Sequence, residues 1–218
     1  PIEGGGLRLS APGRPTIEVA RPTANDTVTG SLIGVKVQVG DAGDEAAAWF
    51  SALLGQEVRL VARTAASELR IPEALDVFDQ TIAFGDVAPV LVTNTASLQW
   101  LQDRAVEPFG MDRFRPNLVV DTGHEPGHPE FSWVGKQLRV GSATFDVAAA
   151  CPRCVMITRA QPVNGLAVQR PILRTLAREA GNAEAALTAG AGATPFGAYL
   201  EVVMPGRIAV GDIVERVS

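Results

Sequence analysis

QLRVGSATFDVAAACPRC, residues 137–154, sets the architecture that the rest of the chain must match. Gln137–Val140 and Ala143–Ala150 are apolar-rich runs on either side of Gly141-Ser142, and they read as a hairpin. The second run leads into Cys151-Pro152-Arg153-Cys154, which holds the only two cysteines in the chain. A thiol placed there is delivered from the end of a rigid element. Val155 to Thr158 is apolar again and is expected to continue as a strand. Thiolate sulfur binds soft metals and attacks electrophiles, so what this sulfur holds is the functional question.

Outward from this hairpin, most segments read as short strands. Leu7–Ser10 and Thr16–Ala20 alternate around Pro12-Gly13, a second hairpin. Leu32–Val39 alternates, with Ile33, Val35, Val37 and Val39 on one face, as in a half-buried strand. Asp41 or Asp44 is expected to cap a helix carrying Ala46, Trp49, Phe50, Leu53 and Leu54, with Gly55 as its stop. Val58–Ala62, Val87–Val92 and Asn117–Val120 read as strands, and Thr95 as the cap of a helix running to about Arg104. Residues 64–84 are irregular and mark a junction between two lobes. Pro171–Glu179 reads as a helix, and Gly197–Met204 with Ile208–Val217 as closing strands joined at Pro205-Gly206. Strands outnumber helices and hairpins dominate, so the expected class is a β-rich α+β fold with a curved or barrel-like sheet. Strands and long helices do not alternate regularly, and there is no GxGxxG after a strand and no Walker A motif, which argues against nucleotide-binding α/β folds.

The 218 residues are enough for one large domain or two small ones, and 46% hydrophobic content supports a real core. A net charge of -5 offers no general attraction to nucleic acid or anionic membrane, although a local cationic pocket remains open. No apolar run approaches the roughly 20 residues that span a bilayer. Two cysteines do not make a disulfide framework, which favours a reducing, cytoplasmic setting. The chain begins at Pro1 without methionine or a signal-peptide pattern, so a fragment or processed form is expected.

Three groupings can carry chemistry. Cys151 and Cys154 supply half of a four-ligand zinc shell, which His124 and His128 could complete at His-x3-His spacing. A thioredoxin-type redox pair needs the motif to open a helix, against the apolar run that follows it. Two buried small residues are the plain structural reading, which the intervening Arg153 opposes. Arg113-Phe114-Arg115-Pro116-Asn117 places two guanidinium forks at the mouth of a strand, with an amide able to meet a pterin or purine edge. Its structural alternative is salt bridging to Asp112 and Asp121. Thr95-Ala96-Ser97 opens a helix, where backbone N–H groups attract anions, or where the hydroxyls simply cap. The loop His124–His128 reads either as metal-binding or as a solvated turn. No G-x-S-x-G elbow is present, and carboxylates show no acid/base pairing.

In this order the pieces resemble the MOSC family, named for the C-terminal domain of molybdenum-cofactor sulfurases. The resemblance runs through residues 39–55, Pro89–Val92, Ala96-Ser97-Leu98, Arg113–Asn117, Trp133-Val134-Gly135, Pro152-Arg153-Cys154 with Thr158, Phe196–Tyr199, Pro205-Gly206 and Val210-Gly211-Asp212. It is strongest to the branch of amidoxime-reducing components and their bacterial relatives. The resemblance implies a barrel-like MOSC β-sheet core with flanking helices over residues 65–218, preceded by a partial N-terminal β-barrel-like region over 1–64. It also implies a molybdenum–molybdopterin cofactor. Cys154 would be the metal ligand and catalytic residue. Thr95, Ser97, Arg113, Phe114, Arg115, Asn117 and Arg153 would contact the cofactor beside it, and Cys151 is not the expected ligand.

The implied activity is two-electron removal of oxygen from N-hydroxylated compounds, with electrons from a ferredoxin, flavoprotein or cytochrome partner. Nucleic acid and membrane are not expected partners. A sulfur-carrying or cofactor-sulfurating module, and a zinc-stabilised structural domain, are the alternatives. The family's opening Tyr-Pro-Val-Lys-Ser-like strand and its Arg-x-x-Pro-Arg segment have no match here. Gln161-Pro162 stands where the family has Asp-Pro.

Overall fold

The structure, a computed structural model, describes residues 2–32, 35–65, 67, 88–105, 107–123, 125, 127–161, 167–168, 171–179 and 194–217. The chain divides into two compact units. The first comprises residues 1–76 and 81–87, the second 77–80 and 88–218. His124 and most of the expected junction at 64–84 lie outside the described residues.

In the first unit, β1 (Leu7–Leu9) and β2 (Ile17–Val19) form the expected antiparallel hairpin. β3 (Thr27–Leu32), β4 (Val35–Asp41) and the short β5 (Val61–Ala62) form a second antiparallel sheet. Along β4, Val37 and Val39 are buried while Lys36 and Gln38 are exposed, as the period-two pattern requires. The sequence reading missed β3, because Thr27-Val28-Thr29-Gly30-Ser31 has one apolar residue in five. Strand β5 is shorter than the expected Val58–Ala62.

α1 (Asp44–Leu54) starts at an N-cap of Gly43, so neither Asp41 nor Asp44 is the cap. Asp41 instead accepts the Gly43 N–H at 3.1 Å and pairs with Arg59, which holds its carboxyl below the usual carboxylate range. Gly55 ends the helix in the left-handed conformation (φ 69°), as expected. Ala46, Ala47 and Trp49 are buried, whereas Leu53 and Leu54 face solvent.

The second unit is built on a six-stranded sheet among the described residues. Its strands are β6 (Val90–Asn94), β7 (Leu118–Val120), β8 (Gln137–Val140), β9 (Ala143–Pro152), β10 (Pro195–Met204) and β11 (Val214–Val217). They lie in the order β11-β8-β9-β10-β6-β7 and curl into a half-barrel. The β8–β9 hairpin forms in the expected register, with Val140 opposite Ala143. Its apolar face, with Leu138, Phe145 and Val147, packs with Val92, Trp133 and Leu200 into the main core. Strands β6 and β7 pair in parallel, and α2 (Thr95–Gln102) lies on the connection between them. α3 (Pro171–Glu179) forms over its predicted range, with Ile172 and Leu176 buried.

Two expectations for this unit are corrected. Val155–Thr158 is a 3-10 turn and not a strand, because Pro152 cannot donate to a ladder and the following carbonyls are engaged by a buried arginine. The closing strand is confined to Val214–Val217, because Asp212 folds the preceding residues into a turn by accepting the Ala209 N–H.

A second cluster of buried side chains lies over one end of the sheet: Leu101, Phe109, Phe114, Ile157, Ile172, Leu176 and Phe196. The rings of Phe114 and Phe196 stack at 3.8 Å. Gly197 follows Phe196 at a register irregularity in β10, with φ 81°, and a Cβ there would lie 2.6 Å from the Val92 carbonyl oxygen. Gly197→Ala is therefore expected to destabilise the protein by about 1–3 kcal/mol, through a strained backbone and a displaced β6. Urea unfolding followed by circular dichroism measures this, and an unchanged midpoint would contradict it.

Candidate functional site

The site is built outward from Arg113. This residue is only 2% exposed, in the 3-10 turn Met111–Phe114. Its guanidinium donates to the backbone carbonyls of Ile157 (3.0 Å), Arg159 (3.1 Å) and Ala167 (2.7 Å). Its own carbonyl accepts the Gln161 side-chain amide at 3.2 Å. Burial pulls the Arg113 pKa below the ordinary arginine value, and Asp112 opposes the shift. One buried cation thus holds the segment that follows Cys154.

Arg153 makes a second tie. Its Nη2 donates to the Phe114 carbonyl at 2.7 Å, and its Nη1 lies 3.1 Å from the Cys151 sulfur. Its backbone N–H donates to the Thr194 carbonyl, and its carbonyl accepts the Thr194 hydroxyl at 2.6 Å. The Arg153–Phe114 bond joins the residue before Cys154 to the residue before Arg115. Cys154 and Arg115 are each the next residue in the chain after one end of this tie.

Their exposures differ from those of their neighbours. Cys151 is buried at the end of β9, while Cys154 is exposed at the N-cap of the turn Val155–Thr158, with no side-chain capping bond. Arg115 is exposed and has the left-handed conformation (φ 55°), alone among the described non-glycine residues. Its guanidinium makes no hydrogen bond or ion pair with a described residue. Asn117 is also exposed; its Oδ1 accepts the Leu91 N–H at 2.8 Å, and its own N–H donates to the Leu91 carbonyl. The carbonyl end of that amide is thus engaged with β6, leaving the NH2 end for other use.

The helix start at α2 differs in detail from the reading. Its cap is Asn94, whose Oδ1 accepts the Ala96 N–H at 2.8 Å, while Thr95 donates its hydroxyl to Asp121 at 2.9 Å. Ser97 is fully buried and donates to Glu130 Oε2 at 2.5 Å. Glu130 went unnoticed in the sequence because an isolated acid in a polar loop carries no pattern. It is fully buried, and its Oε1 accepts the Gly197 N–H at 3.2 Å. Its carboxylate links α2, β10 and the turn Pro129–Trp133. His128 stacks on Phe131 at 4.8 Å and meets Trp100 edge-on at 4.5 Å. No group of three or more His, Cys, Asp or Glu side chains able to hold a metal occurs among the described residues.

The candidate residues therefore separate by what their polar groups do. Arg113, Phe114 and Ser97 are committed to the protein itself. Cys154, Arg115, Asn117 and the Thr95 end of α2 reach the surface of this unit. Removing the Arg113 fork strands three carbonyls, so Arg113→Ala is expected to cost about 3–5 kcal/mol. Equilibrium unfolding in guanidinium checks this, and a loss below about 1 kcal/mol would show that the clamp is not needed.

A MOSC domain profile matches residues 79–215. The chain is 34% identical over 203 residues to mitochondrial amidoxime reducing component 2 of Macaca fascicularis, covering 90% of this chain and 58% of the relative. It is 32% identical to the human mitochondrial amidoxime-reducing component 1, again over 90% of this chain and 58% of the relative. A molybdenum cofactor sulfurase of Anopheles gambiae is 29% identical over 92% of this chain but only 24% of its own length. The crystal structure of YiiM from Geobacillus stearothermophilus aligns with 60% of this chain and 55% of its own, at 17% identity and a TM-score of 0.42. The chain thus spans less than two thirds of the length of the amidoxime-reducing relatives it matches. With the matched profile covering more than half of its residues, including Cys154 and Arg113 to Asn117, the chain belongs to the MOSC domain family.

Proposed function

We propose that this chain binds a molybdenum–molybdopterin cofactor through Cys154 and serves in the reduction of N-hydroxylated compounds. The observation that carries the reading is the Arg153–Phe114 hydrogen bond, which ties the segment bearing an exposed, uncapped thiol to the segment bearing an exposed guanidinium. The donor set fits the cofactor. A soft sulfur suits molybdenum, and a guanidinium with no described partner suits an anionic pterin phosphate. When bound, the metal supplies two-electron oxygen-atom chemistry, which no side chain here can perform.

The chain's own residues bind and orient. Cys154 supplies the thiolate, Arg115 and the Asn117 amide meet the anionic and ring parts, and the Thr95 end of α2 adds its backbone donors. Arg153 aims the thiol by tying its own backbone to Thr194 and its side chain to Phe114. Arg113, Phe114 and Ser97 act as positioning residues from beneath. The name amidoxime reducing component, shared by relatives at about a third identity over 90% of the chain, supports the substrate class. The electron donor is of ferredoxin, flavoprotein or cytochrome type.

The test is to produce the protein in a cofactor-synthesising host and measure molybdenum by mass spectrometry, oxidised pterin by fluorescence, and conversion of benzamidoxime to benzamidine. Cys154→Ser is expected to lose bound molybdenum and activity, while Cys151→Ser keeps both. Arg115→Ala is expected to lower cofactor occupancy about 10–100-fold without unfolding the protein. Equal loss in both cysteine variants, one equivalent of zinc without molybdenum, or a persulfide on Cys154 would each refute the reading, the last in favour of sulfur carriage.

A further inference from the structure

A cavity of about 610 Å³ opens between the turn Val155–Thr158 and α3, beginning one residue beyond Cys154. That volume is in the range of small-molecule sites. Val155, Val168 and Leu173 give it apolar walls, and Arg159 and Arg174 line it with two exposed guanidinium groups. No carboxylate is among the described lining residues, and neither guanidinium has a hydrogen bond or ion pair with a described residue. Two cations with no described counter-charge at one apolar cavity favour an anion, because a bound carboxylate relieves their mutual repulsion and meets an arginine fork.

The other polar groups of the lining carry a different preference. Thr158 donates its hydroxyl proton to the Val155 carbonyl at 2.7 Å, and Thr194 donates to the Arg153 carbonyl at 2.6 Å. With both protons committed, the threonine oxygens can only accept. A ligand that suits the described lining has an anionic group for the arginines, a short apolar body, and an N–H or O–H donor for the threonines. An amidoxime or hydroxylamine is such a donor.

We propose that this cavity selects the substrate, and that the preferred substrates are N-hydroxylated compounds bearing a carboxylate on a compact apolar body. The inference rests on the reductase reading above and adds the substrate charge to it. Arg159 and Arg174 are the specificity-determining residues.

The test compares 4-carboxybenzamidoxime with benzamidoxime, first by calorimetric binding to the full chain without cofactor, then by turnover in the loaded protein. The carboxylated compound is expected to bind about tenfold or more tightly than the neutral one, with the advantage shrinking as salt is added. Arg159→Ala and Arg174→Ala are each expected to cut that advantage several-fold, Arg174→Lys to retain part of it, and the double alanine variant to erase it. In turnover, the same variants should lower the carboxylated-to-neutral ratio of kcat/KM. Equal affinity for the two compounds, or a preference that survives in the double variant, would overturn the inference. Turnover without charge preference would sink this inference and leave the reductase reading standing. A charge preference in binding without any turnover would uphold the anion site and sink the reductase reading instead.

Discussion

The buried Arg113 guanidinium is the interaction on which the site depends. A charge with 2% exposure is costly unless its donors find acceptors, and here three backbone carbonyls take up both Nη groups, leaving the buried Nε without a partner among the described residues. The dependence runs both ways. The carbonyls of Ile157, Arg159 and Ala167 have no strand ladder to enter, and the arginine replaces one. It converts an irregular segment into a fixed surface, with the Phe114–Phe196 stack and Ile157 packed beneath it.

A buried carboxylate plays a matching part nearby. Glu130 gathers the Ser97 hydroxyl and the Gly197 amide, so the start of α2 and the irregular part of β10 share one acceptor. Gly197 can turn its amide this way because it adopts φ 81° next to β6. With the Arg113 Nη groups, the Ser97 hydroxyl and the Glu130 carboxylate engaged inside, the site is left with an outward set of Cys154, Arg115, Asn117 and Thr95. An acidic protein of net charge -5 thus exposes Arg115 and Arg159 on the segments that carry its candidate site.

Legibility differed by element for physical reasons. The β8–β9 hairpin, β4 and α3 were readable because alternation and helical spacing report burial directly. The β-rich α+β class followed from them. β3 was not, because its residues pair through backbone groups that any side chain carries. Val155–Thr158 has strand-like composition but forms a 3-10 turn, its Ile157 carbonyl drawn to an arginine some 44 residues earlier in the chain. No local pattern contains that pairing. The motif Arg113–Asn117 was recognisable, yet its two arginines do opposite jobs: one faces inward as a clamp, the other outward. Glu130, Thr194 and Arg174 were invisible as site residues, since each is defined by neighbours far away in sequence.

By itself the sequence determined which chemistry the chain can carry: two thiols in one short motif, an arginine-rich strand mouth, a helix start, and the ordered set of motifs that marks the family. Residue type and local spacing suffice for that, because they are properties of single side chains and neighbouring turns. Only the tertiary structure decided which thiol is buried and which exposed, and which arginine is a clamp. It alone brought Arg159 and Arg174 to one cavity with Thr158 and Thr194. Those outcomes depend on burial and on hydrogen bonds between distant segments, which exist only once the chain has closed on itself.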